Sequence, residues 1–206
     1  MKIIQTIFTV TLIFFSSASL SNAQMLKIGV GGGITQVLSP DKLTNKVSED
    51  GLGYSTEWNI GAIGKLDLPL IPITPRAFIF DHMLSGNGTN ELNQDVENSQ
   101  SIFEYGFGAQ YNFVPAAMGF DPYIALDLSF STFGDFTKKV NGVETKTNGY
   151  TRFGGGIGVG SEVTIVPIVN LDLYLCYKVL NLTGKEDNED TMSILTLDAL
   201  ITFNFL

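Results

Sequence analysis

Residues 195–206 read Leu-Thr-Leu-Asp-Ala-Leu-Ile-Thr-Phe-Asn-Phe-Leu, an almost unbroken alternation of apolar and polar side chains. One phase of this alternation is apolar: Leu195, Leu197, Ala199, Ile201, Phe203 and Phe205. The other phase is polar apart from Leu200, which is its one apolar member: Thr196, Asp198, Thr202 and Asn204. A period of two places the two sets on opposite faces of an extended strand. The segment therefore predicts a strand with one wholly apolar face.

The same alternation recurs in seven earlier segments, at residues 25–37, 53–68, 74–84, 103–113, 122–132, 149–165 and 168–180. The third segment is the weakest, because Phe78 and Phe80 oppose Ala77, Ile79 and Asp81 without a clear polar face. Each segment is long enough to cross a bilayer core as a tilted strand, which takes about 9–11 residues. The pattern predicts eight strands and an all-β fold.

The connections between these segments alternate in length. Those at residues 38–52, 85–99, 133–148 and 181–190 are long and polar. The connections between them are compact and contain Pro69, Pro72, Pro115 and Pro167, a residue that cannot donate to a strand ladder. Strict alternation of long and short connections is typical of a closed, antiparallel, up-and-down transmembrane β-barrel, with long loops outside the cell and short turns in the periplasm.

The N-terminus predicts a cleavable signal peptide over residues 1–23. Lys2 precedes the mostly apolar residues 3–15, and Ser21 and Ala23 occupy the −3 and −1 positions of a cleavage site. The alternative is an uncleaved membrane anchor, but the apolar run is short for a span of roughly 20 residues. Residues 24–206 would then form a single outer-membrane barrel domain.

The charge of the mature chain excludes one class of partner. Its formal charge would be −10, because the signal contains one cation and no acid and the whole chain carries −9. Such acidity argues against binding to nucleic acid.

Alternation alone leaves open which face points inward, since a soluble eight-stranded ligand carrier would turn its apolar face in. Eight strands enclose room for side chains or one small ligand only, so the bulky apolar face fits better outside, against lipid. The predicted lipid-facing residues are Trp58, Phe103, Tyr105, Phe107, Tyr111, Phe113, Leu126, Leu128, Phe130, Leu173, Leu175, Ile201, Phe203 and Phe205.

The opposite face is rich in glycine and charge, which suits a narrow polar lumen. Its predicted polar network comprises Glu57, Lys65, Asp67, Glu104, Asp127, Arg152, Glu162, Asp172, Lys178 and Asp198. Because an isolated buried charge is costly, these groups should form pairs. We expect Arg152 to contact a lumen carboxylate, with Glu104 as the candidate across the interior. Cys176, on the same phase, is expected to be an inert filler.

The eight segments, the loop and turn asymmetry and the closing strand 195–206 resemble the small outer-membrane β-barrel superfamily of OmpX-like proteins and the OmpA transmembrane domain. The resemblance covers roughly residues 25–206. One departure is that Leu206 follows Phe205, whereas family members usually end on the aromatic residue. The resemblance implies a cell outer-membrane location and a role as membrane stabiliser, adhesin or surface-binding protein. It supplies no shared catalytic residues.

Two motifs could suggest chemistry. Some eight-stranded outer-membrane proteins modify lipid A with a His and a Ser or carboxylate, and His82 lies close to Asp81 and Ser85. However, Asp81 and His82 are neighbours on a strand and point to opposite faces, so an interfacial or loop-base histidine is the simpler interpretation. The run Gly154-Gly155-Gly156-Ile157-Gly158-Val159-Gly160 resembles a phosphate loop, but no helix follows it.

We therefore expect a monomeric, non-enzymatic protein of a Gram-negative-type outer membrane, whose lumen is filled by side chains. Lipid and an unidentified ligand of the extracellular loops are the expected partners, with no cofactor and no metal site. The acidic run 185–190 is expected to be solvated rather than cation-binding. The alternatives are a small-solute porin, disfavoured because eight strands leave no continuous channel, and a lipid A-modifying enzyme.

Overall fold

A computed structural model describes residues 25–68, 71–113 and 119–205. The signal peptide predicted over residues 1–23 lies outside these residues and stays a prediction. Within the described ranges, no helix is long and apolar enough to cross a membrane.

Eight strands form a closed antiparallel barrel, as the alternation predicts. They are β1 (Met25–Ser39), β2 (Thr56–Asp67), β3 (Ile73–Thr89), β4 (Asp95–Asn112), β5 (Phe120–Phe133), β8 (Tyr150–Val166), β9 (Val169–Thr183) and β10 (Ser193–Phe205). Each strand pairs with the next of these along the chain, and β1 pairs with β10 from Leu26 opposite Phe205 to Ser39 opposite Ser193. Closure leaves the barrel wall without a free edge, which a hydrocarbon environment requires.

The two ends of the barrel differ. At the turn end, β8 and β9 are separated by residues 167–168, and β1 begins and β10 ends there. At the loop end, residues 40–55 contain the short helix α1 (Asp41–Thr44) and a 3₁₀ helix (Val47–Glu49). Residues 134–149 contain the hairpin β6 (Phe136–Val140) and β7 (Val143–Thr147).

Two segments predicted as loops form β-structure instead. β3 and β4 continue past the barrel and stay paired up to Thr89 opposite Asp95, which leaves only residues 90–94 of the predicted loop 85–99 as a turn. β6 pairs with β4, from Val96 opposite Val140 to Ser99 opposite Thr137, and β7 pairs with β6. These residues carry few apolar side chains, so the period of two has no hydrophobic signal. The extension is a four-stranded sheet in the order β3-β4-β6-β7.

Candidate functional site: the lumen and the loop end

The barrel wall sorts the side chains by phase. The fourteen residues predicted to face lipid all lie on the outer surface, and each is between 37% and 64% exposed. In the third strand, whose alternation is weakest, the largest side chains face inward and not outward. Its aromatic residues Phe78 and Phe80 are buried inside with Ile63 and Leu200, whereas Ile79 is exposed.

At the turn end, two lysines and three carboxylates form a buried ion cluster. Lys65 Nζ lies 2.7 Å from Glu162 Oε1 and 2.6 Å from Asp172 Oδ2, and Lys27 Nζ lies 2.6 Å from Glu162 Oε2 and 2.7 Å from Asp67 Oδ2. The side chain of Asp67 is 22% exposed, and those of the other four are nearly inaccessible. We name these five residues the turn-end cluster.

A second ion pair occupies the middle of the lumen. The Arg76 guanidinium donates two hydrogen bonds to the Asp127 carboxylate, at 2.9 Å and 2.5 Å, and it stacks over the Tyr174 ring. Tyr174 in turn donates to Asp127 Oδ2 at 2.9 Å, and its ring stacks on Tyr123. This bidentate geometry compensates a buried charge well.

The glycine run on β8 makes room for these tyrosine rings. A Cβ at Gly158 would collide with Tyr174, and a Cβ at Gly160 would collide with Tyr123. The backbone continues as a strand to Val166 with no helix after the run, so the run packs side chains and has no phosphate-loop geometry. Cys176 is buried in the lumen beside Tyr174.

Towards the loop end, Glu104 is the centre of a third cluster. Lys178 Nζ lies 2.5 Å and His82 Nε2 lies 3.2 Å from Glu104 Oε2, and His82 Nδ1 lies 2.8 Å from Thr35 Oγ1. Near it, Asn59 donates to Asp198 Oδ1 at 2.8 Å. His82 is fully buried, so the expected interfacial or loop-base position is wrong.

Two members of the predicted lumen network lie elsewhere. Arg152 and Glu104 both oppose Ser131 on β5, yet the Arg152 guanidinium turns to the loop after β9 and binds Glu189 at 2.7 Å and 2.9 Å. Its predicted contact with Glu104 is therefore wrong. Glu57 stays at the rim, where it accepts a 2.9 Å hydrogen bond from Ser85 Oγ.

The predicted lumen network lacks Arg76, although this residue forms the central ion pair. The inward-facing phase of β3 contains Arg76, Phe78, Phe80 and His82, all of which are buried. Arg76 and His82, at the two ends of this set, identify the inward face. The size of Phe78 and Phe80 alone would place this face outside. The sequence signal that could have identified this inward face was the even spacing of an arginine and a histidine along the strand.

Above the ion clusters, inward-facing apolar side chains close the loop end. We name this group the apolar plug: Val37, Tyr54, Leu84, Ile102, Phe133, Leu180, Met192 and Ile194. Leu43 of α1, Leu52 and Phe136 pack against it, so the chain before β2 folds over the barrel mouth. Among the described residues, no group of three or more His, Cys, Asp or Glu side chains is arranged to hold a metal ion.

Comparison with solved structures supports this architecture. Ail, the attachment invasion locus protein of Yersinia pestis, is 10% identical, over 89% of this chain and 99% of Ail, with TM-scores of 0.51 in complex with the heparin analogue sucrose octasulfate and 0.50 without it. Neisserial surface protein A is 14% identical, over 90% of this chain and 98% of that protein, with a TM-score of 0.47. The likeness to Ail shows the fold alone.

Comparison with curated proteins gives no match. The family described as outer membrane protein beta-barrel domain matches residues 7–203, which is nearly the whole chain. That match agrees with the closed eight-stranded wall, its apolar outer surface and its charged interior. The chain therefore belongs to the outer membrane protein beta-barrel domain family and is located in the outer membrane.

Proposed function

We propose that this protein is a non-enzymatic surface-binding protein of the outer membrane, with its loop end outside the cell. The observation that carries the proposal is the four-stranded extension of β3, β4, β6 and β7. Such a sheet continues rigid barrel strands into the surrounding medium, so it holds a binding element in a defined orientation.

The extension ends at a free strand edge. All five residues of β7, from Val143 to Thr147, are exposed, and among the described residues β7 pairs with β6 alone. The backbone N–H and C=O groups on its other side are open to an additional strand, which is the physical basis of recognition by β-strand addition. We infer that the partner is a protein with an extended segment.

The charge of the extension disfavours a polyanionic ligand. Ail was crystallised with a heparin analogue, which would need a basic surface. Here Lys138, Lys139 and Lys146 are matched by Asp95, Glu97, Asp135 and Glu144. Glu144 pairs with Lys146 at 3.1 Å and with Lys139 at 3.9 Å. We therefore do not transfer the ligand of Ail to this chain.

The interior argues against the porin alternative. The apolar plug fills the loop end, and the turn-end cluster ties four elements of the wall together through buried ion pairs. A solute would have to displace packed side chains and break desolvated ion pairs, each of which costs several kcal/mol.

The lipid A-modifying alternative also loses its candidate base. His82 is buried between Thr35 and Glu104 and does not reach the outer surface.

We infer that the fourteen outward apolar and aromatic residues contact acyl chains, since they form the wall of a membrane-embedded barrel.

The experiment compares adhesion of intact bacteria that express the protein to an immobilised extracellular-matrix preparation. Val143→Lys places a charge on the free edge, and lysine on an edge strand opposes strand addition. Leu92→Lys is the matched control, because Leu92 is 77% exposed and Val143 is 71% exposed, yet Leu92 lies at the β3–β4 tip, outside β7. We expect Val143→Lys to reduce adhesion at least fivefold and Leu92→Lys to leave it unchanged.

Equal adhesion by the wild type and Val143→Lys would overturn strand addition at β7. A tag inserted at the Asn141–Gly142 turn of the hairpin should be reached by antibody on intact cells. Access only after permeabilisation would overturn the proposed orientation.

A further inference from the structure

The outer wall carries a groove over β2 and β3 that the surface-binding proposal does not use. Its floor is made of short side chains, Ala62, Gly64 and Ala77, and its volume is about 710 Å³. Ile28 of β1 stands on one side and Phe107 of β4 on the other, with exposed fractions of 44% and 59%.

The register shows how the groove is built. Ile28 pairs with Gly64, Gly64 pairs with Ala77, and Ala77 pairs with Phe107. In this row of four paired residues, Ile28 and Phe107 form the two walls, and Gly64 and Ala77 form the floor between them. Neighbouring strands lie about 4.8 Å apart, so the walls stand roughly 14 Å apart across three strand spacings. The groove is wide enough for a flexible hydrocarbon chain lying along the strands.

The surroundings favour an acyl chain over a second copy of the protein. The lining is almost entirely apolar, with Leu26 and Ile28 of β1 among its members and Tyr105 as its one residue with a polar side-chain group, and the wall lies in a membrane. A second barrel is convex and would rest on the two walls, which leaves the floor without contacts and forfeits dispersion attraction there. A thin, flexible chain can reach the floor at Gly64 and Ala77.

We propose that this groove is a binding site for one acyl chain of a phospholipid. The floor of the groove lies near the turn end, because Gly64 is three residues from the end of β2 and Ala77 is four from the start of β3, roughly 10–13 Å along the strands. Its far wall continues along β4 and β5 to Phe130. The choice of phospholipid rests on the orientation in the proposed function, which places the turn end in the periplasmic leaflet. The groove itself is independent of that orientation.

Gly64→Leu tests the site by filling it. A Cβ at Gly64 meets no other atom within 4 Å, so a leucine side chain can enter the groove without displacing the protein. The purified full-length barrel is incubated with vesicles of palmitoyl-oleoyl phosphatidylethanolamine and phosphatidylglycerol, extracted in mild detergent, and examined by native mass spectrometry. We expect one retained phospholipid on the wild type and at least a fivefold lower bound fraction for Gly64→Leu.

Ala109→Leu is the matched control, because Ala109 is an exposed outward residue of β4 outside the groove. It should retain lipid as the wild type does. Ala77→Leu fills the same floor from the next strand and serves as the second test should Gly64→Leu not fold, as judged by circular dichroism.

Equal retention by the wild type and a folded groove-filling variant would overturn the site. A dimer mass that disappears on filling the groove would identify a second copy as the occupant and overturn the lipid assignment. Retention of lipopolysaccharide in place of phospholipid from a membrane extract would overturn the choice of leaflet. None of these outcomes depends on adhesion through β7, so the two proposals fail separately.

Discussion

Lys65 shows how a single side chain supports the lumen. Its ammonium group is almost completely buried and lies between the carboxylates of Glu162 and Asp172. Gln110 also donates to Glu162, at 3.2 Å, and Tyr123 donates to Asp172 at 2.6 Å. Desolvation of these charges is offset only while every partner is present.

Lys65→Met should therefore destabilise the barrel by about 3–5 kcal/mol, since the substitution leaves two buried carboxylates short of a cation. Urea titrations of folding into lipid vesicles measure this difference. Lys46→Met removes an exposed lysine from the segment before β2 and should change the free energy of unfolding little. Similar losses for both variants would contradict the lumen assignment of Lys65.

A single residue, Leu128, likewise tests whether the outer face of the barrel contacts lipid. Leu128 is 44% exposed on β5, and Leu128→Arg should cost on the order of 2–4 kcal/mol if the site lies near the bilayer midplane. Asn93→Arg, in the turn between β3 and β4, should cost little. Equal costs in the same lipid titrations would count against lipid contact at Leu128.

At the scale of the element, one ion pair anchors the loop after β9. Glu189 accepts hydrogen bonds from Arg152 and from Asn181, and the backbone N–H of Glu186 donates to it at 3.1 Å. These bonds, that from Arg152 foremost, lower the pKa of Glu189 to about 2. A carboxylate with a lowered pKa stabilises the folded state above its ordinary pKa, and this stabilisation disappears as the pH falls through the lowered value.

Glu189→Gln should accordingly be less stable than the wild type at neutral pH, with a difference that is constant above about pH 4.5. The difference should shrink between pH 4.5 and pH 2, because the wild-type carboxylate becomes protonated over that window. Denaturant titrations of both proteins across this range measure it. A difference independent of pH down to pH 2 would refute the ionic contribution of Glu189.

The strands show where an element can be predicted from local pattern. β5 and β10 have an apolar and a polar phase over nearly their whole length, so their existence and their faces followed from periodicity. β3 lacks such a contrast because its inward face carries Phe78 and Phe80 beside Arg76 and His82. β7 is exposed on both faces and β6 is half-buried at four of its five residues. Neither strand therefore has one apolar and one polar face.

At the scale of the whole molecule, two different kinds of side chain fill the two parts of the lumen. Ion pairs fill the turn end and the middle, and the apolar plug fills the loop end. Most charged side chains of the lumen pair with a charge of opposite sign, although polar atoms such as Arg76 Nη1 and Asn59 Oδ1 have no partner. Apolar side chains of the plug pack together at the mouth. From this packing of the described residues, we expect an interior that lacks a continuous aqueous path.

Planar-bilayer recordings of the purified protein test this directly. We expect no stable large conductance steps, because eight strands leave too little room for a channel once side chains fill the lumen. A general diffusion porin recorded under the same conditions serves as the positive control. Stable large steps from this protein would contradict a plugged lumen and favour the porin alternative.

The sequence by itself determined the number of barrel strands, their antiparallel order and the outer-membrane location, because these depend on a period of two that most segments display locally and on the alternation of long and short connections. Only the tertiary structure decided the partner of Arg152, the burial of His82 and the pairing of β6 with β4. Those contacts join residues distant in sequence, and their formation depends on how the loops fold over the closed wall. No local period encodes that arrangement.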